Sequence, residues 1–248
     1  MATSLNDTAY AHICRLLMEN RIHPNQRLSE QHIAKELGIS RTPVREAIRR
    51  LRGEGILQQI PSSGTYLLPT NGDNVQEIYE IREALECFLV KKAVPLMTNR
   101  DFKQIRERYV EMKKAVDEMQ ASEAPFLTGE PLSRFLKSDW AFHRLLVEPA
   151  DNHQALKVLD DIQLRGCVFG VHSHRRNIEH LSRVLYLHRH VAKAVSRGSA
   201  ISAAHWLRMH IRESRRDALA AIRENEISSG KSTEQQSAYN VIMKKDLS

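Results

Sequence analysis

Four residues in the C-terminal half have the types and spacing to share one metal ion. Asp139 and His143, in "SDWAFHRLL", stand at i and i+4, so on a helix both project from one face about 6 Å apart. In "IEHLSRVLYLHRHVAKAV" the apolar residues Leu181, Leu185, Ala192 and Val195 are spaced four, seven and three, and the missing inward position is His188. His190 falls on nearly the opposite face. Over residues 203–221, Ala203, Leu207 and Ser214 share one side with His210 between them. Three imidazoles and a carboxylate suit Zn²⁺, Mn²⁺ or Ni²⁺ and leave positions open for a further ligand. The chain has 12 histidines, however, and a histidine on an apolar face is also an ordinary hydrogen-bonded core residue. Spacing alone leaves both readings open, with four inward positions on three helices favouring the ligands.

Such a set must be carried by a helical bundle, where sites form from inward side chains of neighbouring helices. From Val75 to about Arg223 the pattern is helical, with breaks around "SEAPFLTGEP" and "EPADN", which predicts six or seven helices. Within the first of them, Ile78, Arg82, Leu85 and Leu89 share a stripe. Arg82 therefore points inward and needs an anionic partner, either a bound carboxylate or an internal acid such as Glu86. His172, His174 and His180 precede the third ligand segment and read as surface positions, one of which could border the pocket.

The N-terminal part reads differently. A helix is expected over residues 9–18, with Ile13, Leu16 and Leu17 on one face, followed by a turn in "RIHPNQRL". Ser29 can cap "EQHIAKEL", and Gly38 suits the left-handed turn that stops it. Ser40 or Thr42 can cap the next helix, Pro43 is tolerated in its first turn, and Val44, Ala47, Ile48 and Leu51 form its buried stripe. That leaves Arg41, Thr42, Arg45 and Arg49 facing outward. "ILQQIPSSGTYLL" then predicts a hairpin around "PSSG". Helix, helix, short turn, helix and hairpin make a winged helix-turn-helix, whose third helix can enter a DNA major groove and present arginines to guanine.

Composition agrees. The formal charge of +7 favours an anionic partner such as nucleic acid. Cys14, Cys87 and Cys167 are too scattered for a disulfide framework or a thiolate zinc site, which fits a reducing cytoplasm. No apolar run reaches the roughly 18 residues of a membrane helix, and "MATSLNDTAY" lacks the pattern of a signal peptide. The expected fold is mainly α: a winged helix-turn-helix with a small β-hairpin wing over residues 1–70, a linker over 71–74, an all-α bundle over 75–226, and a polar, mobile tail over 227–248.

"QRLSEQHIAKELGISRTPVREAIRRLRGEGIL", residues 26–57, followed by "SSGTYL", resembles the GntR family of bacterial transcription regulators over nearly the whole of that family's N-terminal domain. By this resemblance Arg41, Thr42 and Arg45 match positions that contact bases or phosphates, and Gly64 matches the wing-tip glycine that enters the minor groove. Ser40 and Arg49 complete the candidate DNA-facing set together with Gln31, whose position is often arginine in relatives. Ser63 departs too, standing where a basic or histidine side chain is common. The second half resembles the FCD ligand-binding domain of the FadR subfamily. Its Asp-x3-His pair and two later histidines map onto Asp139, His143, His188 and His210, and "EIYEIREALE" matches its first helix.

These features imply a homodimeric, DNA-binding transcription regulator, more often a repressor, that binds a two-fold operator. The helical domain would sense a small carboxylate-bearing effector, for which Arg82 is a candidate contact, through a divalent transition metal site. A metal-dependent enzyme on the same four residues would need an activated water and a poised base, and the sequence offers no HExxH and no evident catalytic acid pair. An architectural DNA-binding protein would not need inward polar residues.

Overall fold

The first helix, α1 (Leu5–Met18), runs for about four turns because Ala9, Ile13, Leu16 and Leu17 keep helical spacing and are all buried. The computed structural model describes residues 4–18, 21–22, 26–68, 72–173 and 176–228. After α1 come β1 (Arg27–Leu28), α2 (Glu30–Leu37), α3 (Arg41–Gly53), β2 (Leu57–Ile60) and β3 (Gly64–Leu67). The Ser29 hydroxyl accepts the His32 N–H at the start of α2, and Gly38 ends that helix at φ 65°. Ser40 is the N-cap residue of α3 by backbone conformation, without a side-chain hydrogen bond. Val44, Ala47, Ile48 and Leu51 are buried beneath α3, as their spacing predicts.

The wing is a three-stranded sheet in the order β1-β3-β2, with both pairs antiparallel. Arg27 and Leu28 stand in the segment expected to be a turn. They form the extra strand instead, and a two-residue strand is too short to show the alternation that would reveal it. Leu57 and Leu67 face each other and are buried, as is Leu28, so one face of the sheet closes the small core.

The second half comprises α4 (Gly72–Ala93), α5 (Asn99–Ala121), α6 (Gly129–Val147), α7 (His153–Ser173), α8 (Ile178–Ser196) and α9 (Ala200–Ser228). These are six α-helices among the described residues. Two boundaries need correction. Gly72, Asp73 and Asn74, read as linker, belong to α4; Asp73 sits in its first turn, where the helix dipole favours an acid, and Gly72 approaches Leu219. Ile227 and Ser228, read as the start of the tail, are the last residues of α9. Residues 229–248 and His174 lie outside the described residues, as does the His172 side chain.

Buried apolar residues run continuously from α1 through α9, so the two halves share one core. α7 packs against both α1 and α4. Its Arg165 guanidinium lies 3.9 Å from where a Cβ on Gly55, after α3, would stand, and Gly166 packs beneath Ile78 of α4. No described helix is long and apolar enough to cross a membrane. Cys14 and Cys87 are free thiols.

Candidate metal centre and DNA interface

Helix periodicity brings Asp139 and His143 of α6, His188 of α8 and His210 of α9 to one point. Their ligand atoms all lie within 4.8 Å of one another. The three histidines are buried, His188 fully, while Asp139 keeps 27% of its side-chain surface exposed. His188 occupies the inward position on α8, although its nearest buried companions are Leu181, Val184, Val191 and Val195; Leu185 and Ala192 are only partly buried. Ala203 and Leu207 are fully buried on the side of α9 that carries His210, and Ser214 is half-buried. Phe142 braces the cluster, its ring 4.7 Å from that of His188 and edge-on to it.

Hydrogen bonds assign the imidazole protons. His188 Nδ1 donates to the Val184 carbonyl at 2.9 Å, which leaves Nε2 with a bare lone pair. His143 Nδ1 donates to Glu86 Oε2 at 2.6 Å, which frees its Nε2 likewise. The two Nε2 atoms of His143 and His210 are 3.1 Å apart. His188 Nε2 lies 3.0 Å from Asp139 Oδ1 but lacks hydrogen-bond alignment with it, and is counted among the unpartnered buried atoms. Ligands bonded at about 2.1 Å to one ion sit roughly 3.0–3.4 Å apart at neighbouring positions, a spacing that the His143–His210 and His188–Asp139 pairs already have, and small side-chain shifts would draw the remaining pairs in around a divalent cation.

The local charges suit the same role. Burial raises the Asp139 carboxyl, but in the metal-free protein protons on the surrounding His188, His143 and His210 outweigh it and hold the group well below the ordinary carboxylate range, so carboxylate and imidazoles compete for the same positive charge. Burial and the neighbouring imidazoles push His210 well below the ordinary histidine value, which keeps it neutral. The His188 Nε2, buried without a hydrogen-bond partner beside the Asp139 carboxylate, is costly unless a cation sits between them.

Arg82 lies beside this cluster, with its side chain 11% exposed, and donates through Nε to Glu86 Oε1 at 2.7 Å. The internal acid anticipated for Arg82 is therefore present. Arg82 also approaches His143 Nδ1 at 3.4 Å, but that nitrogen gives its own proton to Glu86 and cannot accept. Burial alone would raise Glu86; Arg82 and His143 bring it down to about 2. Glu86 thus ties the Arg82 guanidinium to the candidate ligand His143, a role that sequence reasoning missed. Its i+4 spacing from Arg82 was visible, but its approach to His143 arises across two helices. Of the three histidines read mostly as surface positions, His180 is largely covered, with 12% of its side chain exposed and its Nδ1 2.8 Å from Asp217 Oδ2. His190 lies outside the cluster, packed between Tyr186 and Trp206.

On the opposite half of the molecule, Gln31, Ser40, Arg41, Thr42, Arg45 and Arg49 are exposed around the N-terminal part of α3, and Gly64 opens β3 half-exposed. Glu30 on α2 holds Arg45 at 3.1 Å and Arg41 at 3.4 Å. The later arginines serve the protein itself. Arg50 lies 3.8 Å over the Tyr10 ring and pairs with Glu54, while Arg52 donates to Gln59.

A winged helix-turn-helix joined to an all-helical domain with an inward Asp/His cluster is the build of a transcription regulator. Residues 5–67 match the "Bacterial regulatory proteins, gntR family", and residues 77–213 match the "FCD domain". The chain belongs to the GntR family, with an FCD domain as its second half, and is a DNA-binding transcriptional regulator rather than an enzyme. It is 28% identical over 167 residues to the HTH-type transcriptional repressor RspR of Escherichia coli K12, over 65% of this chain and 68% of that one. It is 25% identical over 153 residues to the HTH-type regulator YdhC of Bacillus subtilis, covering 62% of this chain and 64% of the relative, and so spans slightly less than two thirds of that protein's length. The Nta operon transcriptional regulator of Aminobacter aminovorans is 30% identical over 142 residues, 57% of this chain and 62% of the relative. The solved structure of E. coli McbR/YncC superposes with a TM-score of 0.73 over 90% of this chain and 99% of its own, at 19% identity. A GntR protein of Rhodococcus sp. RHA1 gives 0.72 over 88% and 99%, also at 19% identity. Both show a shared fold.

Proposed function

We propose that this regulator is a dimeric repressor of a two-fold operator, controlled by a small organic acid bound in the helical domain beside a divalent metal held by Asp139, His143, His188 and His210. The observation that carries this reading is the convergence of those four ligand atoms with the His143 and His188 protons pinned away from the centre. The metal would supply Lewis acidity and open positions for a ligand oxygen. The residues of this chain do the rest. Val184 and Glu86 fix the imidazoles, Asp139 supplies the negative charge, and Arg82, which spends Nε on Glu86, keeps further N–H groups for an anionic ligand. The repressor sense is taken from the printed name of the E. coli relative, and the dimer from the symmetry usual for readers of two-fold DNA sites.

At the operator, Arg41, Thr42 and Arg45 at the head of α3 would meet base edges and phosphates, with Gln31, Ser40, Arg49 and Gly64 around them. A route between the two sites runs through packed elements: Arg82 sits one turn from Ile78 on α4, Ile78 packs on Gly166 of α7, and the preceding Arg165 reaches the Gly55 turn that follows α3. Ligand binding that shifts α4 against α7 would move the recognition helices apart or loosen them, and operator binding must change ligand affinity by the same factor. The test combines three measurements on the purified protein: metal content, binding to the DNA upstream of its own gene, and loss of that binding as small organic acids are added. Stoichiometric metal and acid-induced release are expected. A metal-free protein whose DNA affinity ignores every acid tried would overturn the sensing part of the reading.

A further inference from the structure

Strands β2 and β3 and the turn between them, residues 57–67, hold no basic side chain, yet a cation reaches the wing from another strand. Arg27 of β1 pairs in register with Tyr66 of β3 and faces away from buried Leu28, on the outer face of the sheet. Its stem lies over the backbone of Gly64, the first residue after the wing turn. A Cβ on Gly64 would stand 2.6 Å from Arg27 Nε and 3.0 Å from both Cγ and Cδ. The glycine at this position, at φ +140°, therefore opens the space through which the arginine crosses. Among the described arginines of the N-terminal half, Arg27 is the one without a hydrogen bond or ion pair. Its counterparts are engaged by His12, Glu36, Glu30, Glu46, Glu54 or Gln59. A guanidinium seated against the wing with no internal acid keeps its whole charge for a phosphodiester.

We propose that Arg27 is the wing's charged DNA contact, donating to a backbone phosphate of the bound duplex. The proposal rests on the reading of the wing as a DNA-facing element. A phosphate contact predicts a loss that is independent of sequence, because the backbone carries the charge at every site. Arg27 is exposed and outside the core, so its replacement leaves the fold intact, which a melting curve checks.

The experiment measures fluorescence anisotropy of two duplexes, one from the gene's own upstream DNA and one of random sequence and equal length, across a salt titration. R27A is expected to bind both about tenfold more weakly, with the salt slope reduced by roughly 0.9, the value of one phosphate contact. R27K should recover much of the loss, since a compact cation also serves a phosphate. R27A with wild-type affinity and slope on both duplexes overturns the proposal, and so does a loss confined to the upstream duplex, which would mark base or groove reading. Failure of the wild-type chain to bind the upstream duplex in preference to the random one would sink the operator reading alone, because the phosphate contact is still read on random DNA.

Discussion

Glu86 accepts the Nδ1 proton of His143 at 2.6 Å while holding Arg82 Nε at 2.7 Å, so one buried carboxylate fixes the His143 imidazole and the inward Arg82 guanidinium together. Removing its charge by Glu86→Gln should leave His143 free to change tautomer or rotate. Metal affinity is expected to fall roughly 10–100-fold, as for the outer partners of ligating histidines generally. Competition with a fluorescent chelator reads the change, and unaltered affinity would show that His143 is oriented by packing alone.

The same carboxyl sets an acid limit on stability. Its value of about 2 lies below the ordinary 4.5, so the folded state favours the charged form. The stabilisation is present above the ordinary value and is lost as pH falls from about 4.5 through 2. Wild-type protein prepared with chelator should lose stability across that window, measured by urea midpoints, and Glu86→Gln should show a shallower fall.

Deleting a ligand should separate metal binding from folding. His188→Ala and His210→Ala are each expected to abolish stoichiometric metal, measured by plasma emission after dialysis. In wild type, chelator should lower the melting temperature, because a cation bound only by the folded state adds stability by mass action. Full metal content in both variants would remove the four-ligand site.

Phe142 is fully buried with its ring against His188. Phe142→Ala should cost about 3–5 kcal/mol in denaturant unfolding, since truncating a buried aromatic leaves a cavity. It should also weaken metal binding by loosening the α8 ligand. Loss of stability with unchanged metal affinity would show that the hydrogen bond to Val184 suffices to hold His188.

At the other end, Arg45 is expected to read the operator. Arg45→Ala should reduce affinity for the upstream DNA by roughly 1–3 kcal/mol and narrow the gap to random DNA. Glu30→Gln should strengthen binding to random DNA, because an acid that faces phosphates and restrains Arg41 and Arg45 is neutralised. Equal affinities of wild type and Arg45→Ala on the upstream duplex would dismiss α3 as the recognition helix.

Much of this was legible in the sequence because it depends on local order. The 3.6-residue period fixed which side of α3 is buried and hence which arginines face outward; Ser29 and Gly38 marked both ends of α2; and i,i+4 spacing put Asp139 with His143 on one face. His188 and His210 could be recognised as inward positions because each interrupts an apolar stripe. What the chain order could not contain is distance between elements. The 3.1 Å approach of His143 and His210 nitrogens, the choice of Glu86 as the acid that serves both Arg82 and His143, and the tether of Arg41 and Arg45 to Glu30 all arise where separate helices pack. The crossing of Arg27 over Gly64 arises in the same way, where β1 pairs with β3. Periodicity decides which way a side chain points, because backbone geometry repeats along one helix or strand. Only the packing of one element on another decides what it meets.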